Sequence, residues 1–155
     1  YGSKKFFVHN NSLIAHIGVG IMILGITCSS VFKSEFNNSF FANETKKIGK
    51  YSYTLSDTII LNKDNFQELK ASFRIEHNNN FITTIEPSKR YYNVSKIITT
   101  EAGIYHHWLT DYYMILGNQK NGKWDVKIYQ NPLVNLIWLG VILMIFSGLI
   151  GIRKR

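Results

Sequence analysis

Two uncharged apolar runs bracket this chain and leave few architectures open to it. Ser12 to Phe32 reads SLIAHIGVGIMILGITCSSVF and Pro132 to Ile152 reads PLVNLIWLGVILMIFSGLIGI, and neither run contains Asp, Glu, Lys or Arg. About 20 such residues wound as an α-helix cross ~30 Å of hydrocarbon, so both runs are predicted as transmembrane helices. They divide the 155 residues into a basic inner-side segment (1–11), a first span (12–32), an exposed region (33–131), a second span (132–152) and a basic tail (153–155). A signal peptide is the other reading of the first run, since Lys4 and Lys5 precede it. Its apolar stretch is too long for that, and only TCSS at Thr27 to Ser30 resembles a cleavage site. A start at Tyr1 suggests a piece of a longer protein.

Charge sets the expected orientation. All ten acidic residues and thirteen basic ones lie between the runs, whereas Lys4, Lys5, Arg153, Lys154 and Arg155 lie outside them. Short, purely basic flanks stay on the cytoplasmic or matrix side, so the middle region is expected on the opposite side. Much of the formal net charge of +8 is thus a topology signal. No basic stripe of the kind nucleic acid requires is present, and the partner implied by composition is the lipid bilayer. Cys28 is the one cysteine; it can form no internal disulfide and reads as a small inert residue. The heavy use of Ile, Asn, Lys, Phe and Tyr suggests an AT-rich coding genome.

The exposed region reads as β-structure. Asn37 to Lys47, NNSFFANETKK, is polar and turn-prone, a predicted linker. KYSYTLSDTIIL, ELKASFRIEH, NFITTIEP, DYYMILG and KWDVKIYQN follow, rich in β-branched and aromatic residues and separated by NKDN, HNNN and NQKNG. In KWDVKIY, Trp124, Val126 and Ile128 alternate with charged residues, as a half-buried strand does. The expected fold is therefore two transmembrane helices flanking a small antiparallel β-barrel-like domain of five or six strands. Because both ends feed the same membrane, the first and last strands must lie near each other, as a closed or nearly closed barrel allows. Asn131-Pro132 is expected to end the last strand and start the second helix, since proline suits a first helical position.

Chemistry is sparse in the exposed region. GxGxxG, P-loop, CxxC and HExxH motifs are all missing, and no hydrolytic or transferase site is complete. His106 and His107 are adjacent, so on a strand they point apart and make a poor metal pair. Sequons at Asn43 and Asn93 matter only in a eukaryotic secretory setting.

The exception lies in the first span. An ionisable side chain inside a membrane is costly and by default marks function, and His16 is such a residue. Gly20 stands one turn ahead, Gly18 between, and Ser12 one turn behind. Absent side chains beside an imidazole leave a flat slot of the kind a porphyrin needs when histidine ligates its iron. Ser12 is placed to accept the Nδ1 proton and orient the ring. The other reading is a neutral histidine hydrogen-bonded to another helix, or one that reaches the interface. The glycines also have a packing account, through the small-xxx-small pairs Gly25/Ser29 and Ser147/Gly151.

LIAHIGVGIMILGI resembles the HxGV segment of the CcmF-type cytochrome c haem lyases, in the CcmF/NrfE/CcsA-type biogenesis family. The likeness continues in order through EPSKRYYNVSKIITTEAGIY, LTDYYMILG and KWDVKIYQNPLVNLIWLGVILM, from Leu13 to the C-terminus. It implies the last two spans of a larger protein and the domain between them, as a fragment or split-gene subunit. The family's tryptophan-rich segment and exposed axial histidines belong upstream, so Trp108, Trp124 and Trp138 do not stand for them. Gln130 and Asn135 depart from the aromatic and the arginine of bacterial relatives.

The resemblance implies that His16 is an axial ligand of a transmembrane b-type haem, shared with another chain or an upstream segment, that reduces incoming haem. It further implies as partners the other haem lyase subunits, a haem-carrying chaperone and apocytochrome c, in a mitochondrial inner or bacterial plasma membrane. Arg90, beside Tyr91 and Tyr92, is a candidate for a haem propionate or an acidic partner, or else a strand arginine paired with a glutamate. Glu101 and Asp111 also match family motifs, and internal pairing explains them as well. A structural accessory subunit without haem is the competing reading; a two-span receptor is a weaker one.

Overall fold

The computed structural model describes residues 2–152, with side chains from Asn11 onward. Arg153, Lys154, Arg155 and the side chains of Lys4 and Lys5, which set the expected orientation, lie outside the described residues. The chain forms two units, one holding both helices and one holding most of the β-structure.

In the helical unit, α1 (Gly2–Val31) is one helix of 30 residues, so the basic leading segment is wound into it. The second helix, α2 (Val134–Ile152), is 19 residues long. Within them Asn11–Val31 and Val134–Ile152 are long and apolar enough to cross a membrane. The helices pack antiparallel along small residues. A Cβ on Gly18 would lie 2.8 Å from the Gly140 carbonyl oxygen, and one on Gly140 would lie 2.5 Å from that of Gly18. Neither gap admits a side chain. Gly25 faces Ile137, and the buried Ser147 hydroxyl donates to the Asn11 carbonyl. Gly18 with Gly25, and Gly140 with Ser147, are each seven residues apart, the period that keeps one stripe turned toward a partner helix. One member of the anticipated four-residue pairs is exposed: a Cβ on Gly151 would meet nothing within 4 Å.

The β-unit has ten strands: β1 (Ser34–Phe40), β2 (Thr45–Ile48), β3 (Tyr51–Asn62), β4 (Phe66–His77), β5 (Asn80–Ile85), β6 (Ser88–Tyr92), β7 (Ile98–Glu101), β8 (Gly103–His107), β9 (Thr110–Lys120) and β10 (Lys123–Pro132). One sheet has the order β1-β10-β9-β8 and the other β2-β3-β4-β6-β7, with β5 also paired to β4. The two halves of β4 share one edge between partners: Phe66 to Lys70 pair with β6, and Phe73 to His77 with β5. Both inner faces supply the core. Tyr53, Leu55 and Phe73 from one sheet meet Phe40, Met114, Leu116, Val126 and Ile128 from the other, all essentially inaccessible. Phe40 and Phe73 meet edge to face, with centroids 5.4 Å apart.

The antiparallel β-domain between two helices is the fold class that the sequence predicts, and its first and last strands pair, from Ser34↔Gln130 to Phe40↔Trp124. Three details differ. The β-layers are two sheets rather than a closed wall, with ten strands rather than five or six. The predicted linker 37–47 is mostly strand: it contains the end of β1 and the start of β2, joined by a turn where the Glu44 carboxylate accepts the Phe41 N–H at 2.7 Å. Pro132 ends β10 instead of opening α2. Leu133 follows in the left-handed region, with φ 60°, and its N–H still donates to the Leu109 carbonyl at 2.7 Å. That bond prolongs strand pairing one residue past the proline.

Truncating Phe73 empties the centre of this core. Phe73→Ala is expected to lower the unfolding free energy by about 3–5 kcal/mol, measured by chemical denaturation of the solubilised chain. A loss below ~1 kcal/mol would show that the two sheets do not meet there.

Candidate functional site

α1 has two faces with different surroundings. Gly18 and Gly25 turn toward α2. His16 precedes Gly18 by two residues, about 200° around the helix, and so lies on the opposite side. Ser12, His16 and Gly20 fall four residues apart on one exposed stripe. A Cβ on Gly20 would meet nothing within 4 Å, so a flat open surface adjoins the imidazole.

The ring is held from within the helix. His16 Nδ1 lies 2.6 Å from the Ser12 carbonyl oxygen, and the Ser12 hydroxyl stands further off, at 3.4 Å. The expected acceptor residue is therefore present, but its backbone makes the closer contact, because the carbonyl four residues back points along the axis toward the ring. A carbonyl can only accept, so Nδ1 carries the proton. Nε2 of the neutral ring is then a bare lone pair, the donor that metal sites use. This donor and the Gly20 gap fit a planar iron porphyrin ligated from the side. Among the described residues no cluster of three or more His, Cys, Asp or Glu could hold a metal ion.

Arg90 belongs to the other unit. Its Nε donates to Glu68 at 3.0 Å, an amine nitrogen lies 3.6 Å from Glu101, and the guanidinium lies over the Phe66 ring at 5.0 Å. The Ser88 hydroxyl donates to the same Glu68 oxygen at 2.7 Å. That hydrogen bond, with Arg90, holds the Glu68 carboxyl below its usual range. Of the other two candidate acids, Glu101 joins this network and Asp111 is buried.

Sequence reasoning missed two features. A cavity of about 340 Å³ is lined by Tyr51, Ile75, His77, Ile82, Tyr105, His107 and Tyr112. The Tyr112 hydroxyl donates to that of Tyr51 at 2.8 Å. Ile75 and His77 on β4, and Tyr105 and His107 on β8, are each two residues apart and so share a strand face, and that spacing is the trace of the cavity in the sequence. Burial pushes Tyr112 well above its ordinary value and Tyr53 up to about 12. The second feature is the Trp108-Leu109 turn, bonded to the head of α2; Asn135, polar in an apolar run, marks it.

Residues 31–132 match the family described as the CcmF C-terminal beta-sandwich. The chain is similar to the cytochrome c-type biogenesis protein CcmF of Pseudomonas fluorescens, 32% identical over 143 residues that take in 92% of this chain and 22% of that protein. The CcmF of Escherichia coli is 29% identical over 160 residues, 99% of this chain and 25% of that one. The biogenesis protein CycK of Bradyrhizobium diazoefficiens is 29% identical, again over 92% and 22%. A solved cytochrome c heme lyase CcmF shares the fold, with a TM-score of 0.76 over 96% of this chain and 25% of that one, at 17% identity. The chain thus spans at most a quarter of the length of these proteins.

The buried acid and phenols set opposite pH limits. Glu68 has its folded-state affinity for protons lowered, so its contribution is present above the ordinary carboxyl value near ~4.3 and is lost as pH falls. Glu68→Gln is expected to reduce stability at neutral pH and flatten the acid limb of a denaturation-midpoint profile. Tyr53 and Tyr112 act in the other sense: their contribution is intact below about pH 10 and is lost as pH climbs toward the Tyr53 value. Tyrosinate absorbance should rise together with unfolding there; ionisation of both phenols near pH 10 without unfolding would refute the assignment.

Proposed function

The chain belongs to the CcmF C-terminal beta-sandwich family, and from that membership we propose that it serves in cytochrome c biogenesis as a membrane component of a CcmF-type haem lyase. In this reading α1 and α2 cross the bilayer, both chain ends face the cytoplasm or matrix, and the β-sandwich stands on the far side. There it helps position a haem-carrying chaperone and apocytochrome c. His16 is one axial ligand, through Nε2, of a transmembrane b-type haem shared with another subunit or with the upstream part of the same family protein.

One observation carries this reading: the 2.6 Å bond from Nδ1 to the Ser12 carbonyl, on a helix face that Gly20 leaves open. The bond sets the tautomer and limits rotation of the ring. Gly20 keeps the adjoining surface flat. Leu13, Ile17 and Val19, apolar and exposed around the helix, exclude water from the ligand. A haem bound there supplies one-electron redox chemistry. Arg90 is left out of the haem site, since Glu68 and Glu101 already neutralise it. The chain is not assigned catalysis by itself. The competing reading, an accessory subunit with no haem, is favoured by one fact: α2 has no histidine to supply a second ligand.

Three variants in the assembled lyase separate these readings through the b-type absorption spectrum. His16→Ala is expected to abolish or strongly shift it. Ser12→Ala is expected to leave it nearly unchanged, because the carbonyl remains. Gly20→Leu is expected to deplete haem while helix content holds. An unaltered spectrum in His16→Ala would establish the accessory role instead.

A further inference from the structure

We propose that the turn between β8 and β9, Trp108-Leu109, is an interfacial anchor seated in the phospholipid headgroup layer beside α2. The turn is tied to the head of that helix by two bonds. The Leu109 carbonyl accepts the Leu133 N–H at 2.7 Å, and the Trp108 carbonyl accepts from Asn135 Nδ2 at 2.5 Å. Asn135 is the second residue of α2, so the backbone of the turn is level with the helix's first turn. Trp108 and Leu109, with the first two residues of β9, accordingly group with the helices.

Helix length then fixes depth. The 19 residues of α2 rise about 28 Å, nearly the full ~30 Å of a hydrocarbon layer. A span with so little slack has its first turn at the boundary between hydrocarbon and headgroups, and the bonded turn lies at that boundary with it. Its side chains suit the place. Trp108 is 80% exposed and Leu109 51%, an apolar pair that stands largely open. Indole favours this layer because its ring body is apolar and its N–H remains wet. Trp138, one turn further along α2 and 64% exposed, lies about 5 Å deeper. The same bond explains a polar Asn135 at the head of an apolar helix, since its amide holds the turn in place. The occupant is lipid, and the inference rests on the reading that α2 spans the bilayer.

Spin labels test both statements separately. Trp108→Cys, Trp138→Cys and Val94→Cys would be labelled in the complete assembly reconstituted in phosphatidylcholine nanodiscs, and their accessibility to oxygen and to a water-soluble nickel chelate compared. Val94, 86% exposed on the β-unit, is the aqueous reference. Position 138 is expected to be oxygen-accessible and protected from nickel, and position 108 intermediate, with an oxygen-to-nickel ratio several-fold above that of position 94. Asn135→Ala, which releases the Trp108 carbonyl, should move the value at 108 toward that at 94. A ratio at 108 equal to that at 94 would overturn the anchor while a protected 138 left the span intact. Shielding of 108 from both reagents would overturn it in favour of a protein neighbour. Nickel access at 138 would remove the span and the anchor together.

Discussion

The ladder between β1 and β10 is the constraint from which the rest of the architecture follows. Its seven pairs run without a break from Ser34↔Gln130 to Phe40↔Trp124. The chain enters the β-domain at one member of the first pair and leaves it at the other. Neighbouring strands lie about 4.8 Å apart, and packed helices have axes about 8–10 Å apart, so an insert whose ends are paired in this way matches the spacing that two adjoining helices need. An insert with separated ends would force the helices apart or require long connectors. The seam of Gly18, Gly25, Gly140 and Ser147 uses that proximity. With no Cβ at the closest points, the two backbones meet directly, which is what drives helix association where hydrophobicity cannot.

Features that depend on composition and short-range pattern were readable from the residues. Charge-free runs set the helices, and the alternation in KWDVKIY placed Val126 and Ile128 inside, where both are nearly fully buried. HNNN and NQKNG are tight hairpins, with positive φ at Asn78, Asn79, Asn121 and Gly122, as two-residue turns require. Features decided by long-range pairing were hidden. NNSFFANETKK reads as linker because β1 lies at a sheet edge and turns only Phe36 and Phe40 toward the core, so polar residues are tolerated elsewhere along it. Alternation also says which residues face inward but not whether the sheet closes, and the division into β1-β10-β9-β8 and β2-β3-β4-β6-β7 with β5 rests on long-range pairing. Pro132 was misleading for a related reason: the bond from Leu133 to Leu109 joins segments far apart in sequence.

The candidate site was legible to a similar depth. Residue type and spacing pointed to Ser12, His16 and Gly20 as one stripe, and the helix makes them one. What spacing could not say was which Ser12 oxygen takes the proton, since both a hydroxyl and a carbonyl lie one turn back. Arg90 was open to two readings for a different reason. The pairing of β6 with β4 and β7 brings Glu68 and Glu101 to it, and a local window shows neither.

An imidazole on an apolar helix has two nitrogens to satisfy, and the described residues satisfy one, Nδ1. An unpartnered polar group in hydrocarbon costs several kcal/mol, so Nε2 of His16 calls for a partner of its own. α2 cannot provide it, because its polar side chains, Asn135 and Ser147, are engaged with Trp108 and Asn11. The same helix pairing turns the stripe of His16 away from the seam and leaves the space beside Gly20 open. Close packing on one face of α1 and an exposed lone pair on the other therefore arise together from glycines placed at positions 18, 20 and 25. In the proposed reading the second donor comes from outside these two helices, and the proteins that the chain resembles are about four times as long.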